Sequence, residues 1–284
     1  MSATFADGIL AGKNAYVAGG TRGMNLAIAK RFAAQGANVA VMSRSEERCA
    51  SAAAEIEALG VKSLGLPADA RDYDRVHATM AEAAERFGGL DIVVAGQAGN
   101  FYAPAIGMSS KGFQTVVDID LVGTFNVFRA CFEFLNKPGA SLMAITAPEA
   151  VKPLHFQAHV CAAKAGVNML CKCLALEWGP AGIRVNGISP GPIEDSWGMM
   201  NVVSPTQEMR DKIGNAMPLK RWGKCEDIAN TALFLASPAA SYITGTIIET
   251  DGGATIASPE GGDVDAVFDP AKDKRIGQRK HSDD

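Results

Sequence analysis

The chain has little charge of either sign in excess: 27 Lys and Arg stand against 31 Asp and Glu, a formal net charge of −4. With no dense basic cluster, that balance argues against a nucleic-acid partner. Only four histidines are present, and the six cysteines (Cys49, Cys131, Cys161, Cys171, Cys173 and Cys225) form no C-x-x-C pair. No metal site is expected, and the thiols read as reduced cysteines of a cytoplasmic protein. No apolar run is long enough to span a bilayer, so no membrane association is expected. The first residues lack a basic region followed by an apolar stretch, and the last four, His281-Ser-Asp-Asp284, match no targeting tripeptide. No internal repeat and no proline-rich linker interrupts the chain, which reads as a single domain.

What is present is ordinary in amount, 48% hydrophobic and 20% charged residues, and informative in order. Short β-rich runs alternate with longer helical ones. The strands are expected at Ala15–Ala18, Asn38–Met42, Lys62–Leu66, Ile92–Ala95, Ser141–Thr146, Ile183–Ile188 and Thr246–Thr250. Helices are expected at Met24–Gln35, Glu46–Leu59, Tyr73–Phe87, Lys111–Leu135, Ala158–Trp178 and Glu226–Leu235. Gly36, Gly60 and Gly88 follow three of these helices, where a left-handed cap is wanted. The alternation predicts an α/β fold, a doubly wound seven-stranded parallel sheet of the Rossmann type, with its ligand at the carboxyl ends of the strands. The domain is expected to span residues 1–256, including an aperiodic active-site lid at about 192–217, with residues 257–284 a mobile tail.

Gly19, Gly20 and Gly23 follow the first strand. Glycines there let the backbone approach a pyrophosphate, and the next helix points its amides at it. At the end of the second strand, where an NAD binder places an acid for the ribose diol, the sequence reads Ser43-Arg44. Arg44 can grip a 2′-phosphate, Ser43 can donate to it, and Arg22 adds a second positive group. The expected cofactor is therefore NADP(H). The alternative is a pair of solvent-exposed arginines.

Several landmarks in order identify the chain as similar to the short-chain dehydrogenase/reductases: Gly19-Gly-Thr-Arg-Gly23, Ala68-Asp69, Asp91-Ile-Val-Val-Ala-Gly-Gln-Ala-Gly99, Lys164, Arg184-Val-Asn186, Ser189-Pro-Gly-Pro-Ile193 and Asp251-Gly-Gly253. The resemblance implies dinucleotide contacts at Gly19, Thr21, Arg22, Gly23, Met24, Ser43, Arg44, Asp69, Ala70, Ala95, Gly96, Lys164, Pro190, Gly191 and Ile193. Of these, Asp69 would receive the adenine amino group, Ile193 the carboxamide, and Lys164 the nicotinamide ribose. Asn25 stands where the family pattern has a third glycine, so a small local shift is expected there.

Within that family the chain resembles the 2,4-dienoyl-CoA reductases, the peroxisomal type above all. The phrases are Ala98-Gly-Asn-Phe101, Val117-Asp-Ile-Asp120, Gly123-Thr-Phe-Asn126, Ile145-Thr-Ala147 and Leu176-Glu-Trp-Gly-Pro180. Four residues before Lys164, where the wider family has a tyrosine, stands Val160, and Ala147 lies near the usual serine. The resemblance puts Lys164, and Asp120 at the family's helix asparagine, in the chemistry, and Glu149 and His159 are the candidate proton donors beside them. Asp120 is flanked by apolar residues and is expected to be buried against Lys164. Glu149, fifteen residues before Lys164, occupies the place of a tyrosine in the mitochondrial type. It reads either as a general acid or as a surface residue. His159 reads as a proton donor, a helix cap or a packing residue. Asn168 stands where the peroxisomal type has an aspartate that helps to hold a water.

The resemblance thus implies reduction of a conjugated enoyl or 2,4-dienoyl thioester. The alternatives are a carbonyl reductase or dehydrogenase using a substitute acid, and an inactive dinucleotide-binding sensor or scaffold. Arg210, Lys212, Lys220, Arg221 and Lys224 read as contacts for CoA phosphates or as a solvated face. Met199, Met200, Met209 and Met217 read as an acyl pocket or as lid packing. The family implies a homo-oligomer, dimer or tetramer, built on the two long helices, where Ala163, Val167, Leu170 and Leu174 fit either an interface or the core.

Overall fold

The structure is a computed structural model describing residues 5–194, 204 and 206–257. Seven strands, β1 (Asn14–Ala18), β2 (Asn38–Ser43), β3 (Ser63–Pro67), β4 (Ile92–Ala95), β5 (Ser141–Ile145), β6 (Arg184–Pro190) and β7 (Ile247–Thr250), form one sheet in the order β3-β2-β1-β4-β5-β6-β7. Every pairing is parallel. The strands are short apolar runs because both faces of the sheet are covered. Successive side chains point to opposite faces, so Tyr16 and Ala18 join one core while Ala15 and Val17 join the other.

The first core is completed by α3 (Tyr73–Phe87), α5 (Gly123–Cys131) and α6 (Ala158–Trp178), the second by α1 (Gly23–Ala34), α2 (Glu46–Glu57) and α8 (Cys225–Ala236). Gly36, Gly60 and Gly88 all adopt positive φ, which allows the chain to turn back after a helix. Strand order reverses between β1 and β4, which pair through Ala18 and Ala95. The crevice beyond their carboxyl ends is where a doubly wound sheet binds its ligand.

Two expectations are corrected. The helix expected over Lys111–Leu135 is not uniform: α4 (Ser110–Val117) passes into a π-helical turn at Asp118–Val122, then α5, then a 3-10 turn at Phe132–Phe134. The expected lid is not wholly aperiodic. It contains α7 (Gln207–Ala216), capped by the Thr206 hydroxyl, which accepts from Met209 N at 3.3 Å. Trp222 secures α7 by donating from Nε1 to Arg210 O at 2.8 Å. Met199 and Met200 and the tail from residue 258 lie outside the described residues.

Candidate functional site

The glycine turn after β1 is shaped for close approach. Gly19 has φ +72°, and a Cβ there would lie 2.9 Å from the backbone of Gly96 and Gln97, so only glycine fits. Gly23 has φ +53° with open space around it. The first turn of α1 carries no acid, and Arg22 gives no side-chain cap. Its leading amides therefore keep their donors and their positive dipole end for an anion. Thr21 and Met24 are half-buried beside this turn, and Arg22 is exposed. These features fit a dinucleotide pyrophosphate.

Asn25 explains how a glycine position tolerates a larger residue. Its Nδ2 donates to Gly96 O at 2.6 Å, tying the glycine turn to the end of β4. Asn25→Ala is expected to remove this one bond at a cost of about 0.5–1.5 kcal/mol. The cofactor site should survive, so the check is a small fall in Tm with dinucleotide binding retained.

At the end of β2, Ser43 is half-buried and Arg44 exposed. Asp69, just beyond β3, is held by Arg71, whose Nη2 and Nε donate to its carboxylate at 2.6 and 3.0 Å. Those hydrogen bonds, with help from the Arg44 charge, keep the Asp69 carboxyl below the usual carboxylate range. This clasp by Arg71 has no counterpart among the expected cofactor contacts. Ala70 O accepts from Asn126 Nδ2 at 2.9 Å, fastening the loop to α5. On the far side, Pro190 ends β6 and Gly191 packs so tightly that a Cβ would lie 2.5 Å from Asp251 O. Asp251 is held in turn by the amides of Gly253 and Thr255 at 2.8 and 2.7 Å. Ile193 is buried and bridges to Gly223.

Deeper in the crevice, Asp120 projects from the π-helical turn with 1% of its side chain exposed, and its Oδ2 lies 3.2 Å from Nζ of Lys164, 6% exposed. The other carboxylate oxygen accepts from Gly99 N at 2.7 Å. Lys164 also donates to Ile145 O at 3.0 Å. The widened turn leaves a backbone carbonyl to satisfy, and the Thr124 hydroxyl donates to Asp120 O at 2.6 Å. A π turn inserts one residue and so re-aims the side chains it carries, which is why such turns cluster at functional sites. Here it delivers a carboxylate to a buried ammonium. Val160 is buried on the same helix as Lys164. Thr146 donates to Asn168 Oδ1 at 2.6 Å, next to Ala147.

Glu149 lies half-buried on the 3-10 turn Pro148–Ala150. His159 is wholly buried in the first turn of α6, its ring 4.4 Å from that of Phe101. Burial pushes its pKa down, against a smaller pull upward from the Phe101 backbone and the Asp120 charge. It is thus a neutral imidazole near pH 7 rather than a charged acid. Of the basic residues expected at a CoA mouth, Arg221 is in an ion pair with Asp227 at 2.9 Å. Arg210 donates to Ser204 O, and Lys220 to Asn215 O, both at 3.1 Å. Sequence reasoning missed the contacts of Gly99, whose amide donates to Asp120, and of Phe101, whose ring lies against His159. The phrase Ala98-Gly-Asn-Phe101 carried a resemblance but no role.

A family model described as enoyl-(acyl carrier protein) reductase matches residues 18–255. A peroxisomal 2,4-dienoyl-CoA reductase of Pongo abelii is 38% identical over 267 residues, covering 93% of this chain and 90% of that protein. A 3beta-hydroxysteroid dehydrogenase 1 of Eggerthella lenta is 37% identical over 87% of this chain and 95% of that protein. A short-chain dehydrogenase from Burkholderia cenocepacia, solved in complex with NADP, superposes with a TM-score of 0.80 at 30% identity, covering 86% of this chain and 98% of that one. The chain therefore belongs to the short-chain dehydrogenase/reductase family of nicotinamide-dependent oxidoreductases.

Proposed function

We propose that this protein is an NADPH-dependent reductase of conjugated enoyl thioesters, of the 2,4-dienoyl-CoA class. The observation that carries the reading is the pairing of a buried Asp120–Lys164 ion pair with Val160 and Ala147. These two apolar residues stand where a carbonyl reductase of this family would present hydroxyls to its substrate oxygen. A ketone needs its oxygen protonated, whereas a conjugated thioester needs its oxygen only stabilised while a proton goes to carbon. A bound reduced nicotinamide supplies the hydride and is oxidised.

The protein's part is positional and electrostatic. Lys164 brings a desolvated positive charge to the site, and Asp120 and Ile145 O fix its ammonium. Glu149 offers a half-buried carboxyl from the turn after β5, and the Thr146–Asn168 pair can order a water near it. Arg44 supports the preference for the 2′-phosphorylated cofactor. Exposed Phe125, Met169 and Leu176 on α5 and α6 support assembly into a dimer or tetramer through these helices. The dienoyl reading is also supported by the relative from Pongo abelii, and a hydroxysteroid dehydrogenase reading by the one from Eggerthella lenta.

Labelling separates the two. With NADPH deuterated at the transferred position and a 2,4-dienoyl-CoA, the label is expected on the carbon at the far end of the conjugated diene, with the second hydrogen drawn from water. Label on a carbinol carbon of a steroid or ketone, with none in the dienoyl thioester, would instead establish the dehydrogenase.

A further inference from the structure

The turn at residues 251–257 stands in an apolar rim beside the cofactor crevice. Asp251 packs on Gly191, and Ala254 N donates back to Asp251 O at 3.1 Å. Ile256 N and Ala257 N both donate to Gly253 O, at 3.2 and 2.9 Å. On one flank Leu219 N donates to Gly252 O at 3.2 Å. On the other, Lys152 Nζ donates to Ala254 O and Ala257 O at 3.0 and 2.8 Å. Lys152 lies just beyond the 3-10 turn that carries Glu149. Val151, Leu154, Leu219 and Ile256, on or beside these contacts, are between 44% and 80% exposed. Large apolar side chains left open along one stretch mark a surface that another group covers.

The same stretch holds a cation without a counter-charge. Lys152 is half-buried, and its ammonium meets two neutral carbonyls and no carboxylate among the described residues. A charge partly withdrawn from water favours an opposite partner. The chain itself supplies a segment of matching chemistry. It leaves the described residues at Ala257, the residue that Lys152 holds. Beyond that point its only run of consecutive apolar residues is Ala266-Val267-Phe268, set among Asp263, Asp265 and Asp269. Eleven residues separate Ala257 from Phe268, and an extended chain of that length reaches about 36 Å. That is ample for a return to the rim. The tether makes the encounter intramolecular, an advantage that neither a second copy nor a free partner has.

We propose that residues 263–269 fold back across this rim within the same chain. Val267 and Phe268 cover Val151, Leu154 and Ile256, and an aspartate of the segment meets the Lys152 ammonium. One short segment thus answers both unmet features of the rim, its apolar surface and its lone charge. It forms a strap along the crevice edge between the Glu149 turn and the turn at Asp251. The inference is independent of which substrate the enzyme reduces.

The test uses the full-length protein carrying Pro153→Cys and Ala266→Cys, which leave the proposed contacts in place. A short bismaleimide joins the thiols, and mass spectrometry reads the linked peptides. The control pair is Leu59→Cys with Ala266→Cys, since Leu59 is exposed between α2 and β3, at the opposite edge of the sheet from β7. Residue 266 is expected to link to residue 153 within one chain, about tenfold faster than to residue 59. Equal rates would show a tail that settles nowhere. A link between two chains would put a second copy's tail on the rim. Either result would overturn the proposal. Hydrogen exchange gives a second reading. In the full chain carrying Val267→Asp and Phe268→Asp, the amides of residues 150–157 and 252–257 should exchange about tenfold faster, with β1 and β4 unchanged. Exchange as in the wild type would equally overturn it.

Discussion

Asp120→Ala is expected to abolish turnover and to cost about 3–5 kcal/mol of stability, the penalty of breaking a buried ion pair from one side. The carboxylate serves two buried donors, the Lys164 ammonium at 3.2 Å and the Gly99 amide at 2.7 Å. Once it is gone, Lys164 keeps only Ile145 O at 3.0 Å, and a buried charge with one neutral acceptor is poorly compensated. Asp120→Asn should cost less, because it can still accept from Gly99, but it loses the opposing charge. The double variant Asp120→Leu/Lys164→Met should recover much of the stability without recovering activity, since a buried pair replaced on both sides by apolar groups is often tolerated. Urea titration of the three variants checks the order. A single Asp120→Ala variant as stable as the wild type would mean that Lys164 is not charged where it lies.

The second large effect is on cofactor choice. Arg44→Ala should weaken NADPH binding by roughly 10- to 100-fold and leave NADH nearly untouched. A guanidinium gripping a phosphate with charge-assisted hydrogen bonds is worth about 1.5–3 kcal/mol, and each 1.4 kcal/mol is about tenfold in affinity. No acid stands at the end of β2 to hold a ribose diol instead, and Arg44 is exposed there, close enough for its charge to act on Asp69. Fluorescence titration with both cofactors measures the split. An equal loss for both would place Arg44 in general charge attraction rather than at the 2′-phosphate.

The sheet was legible because its signals are local. Apolar runs such as Ala15–Ala18 and Ile92–Ala95, separated by amphipathic helices with glycine caps at 36, 60 and 88, leave few other topologies. The glycine turn and Lys164 were legible for the same reason, as motifs of fixed spacing. What stayed hidden depends on contacts across the fold. The π turn at Asp118–Val122 leaves the run of helix-compatible residues unbroken, and only the seating of Asp120 against Lys164 and of Gly123 against Ala70 exposes it. Helix α7 is short and polar, so it shows no apolar stripe. Its anchors, Trp222 and Ser204, lie outside it. Asn25 looked like a lost glycine until its amide met Gly96 O.

The most direct measurement is NADPH oxidation by the purified protein with a 2,4-dienoyl-CoA and, side by side, with a β-ketoacyl-CoA of the same chain length and a steroid ketone. A site with Val160 and Ala147 around a buried Asp120–Lys164 pair should consume NADPH with the dienoyl thioester and leave both ketones unreduced. Reduction of either ketone with the dienoyl thioester untouched would contradict it.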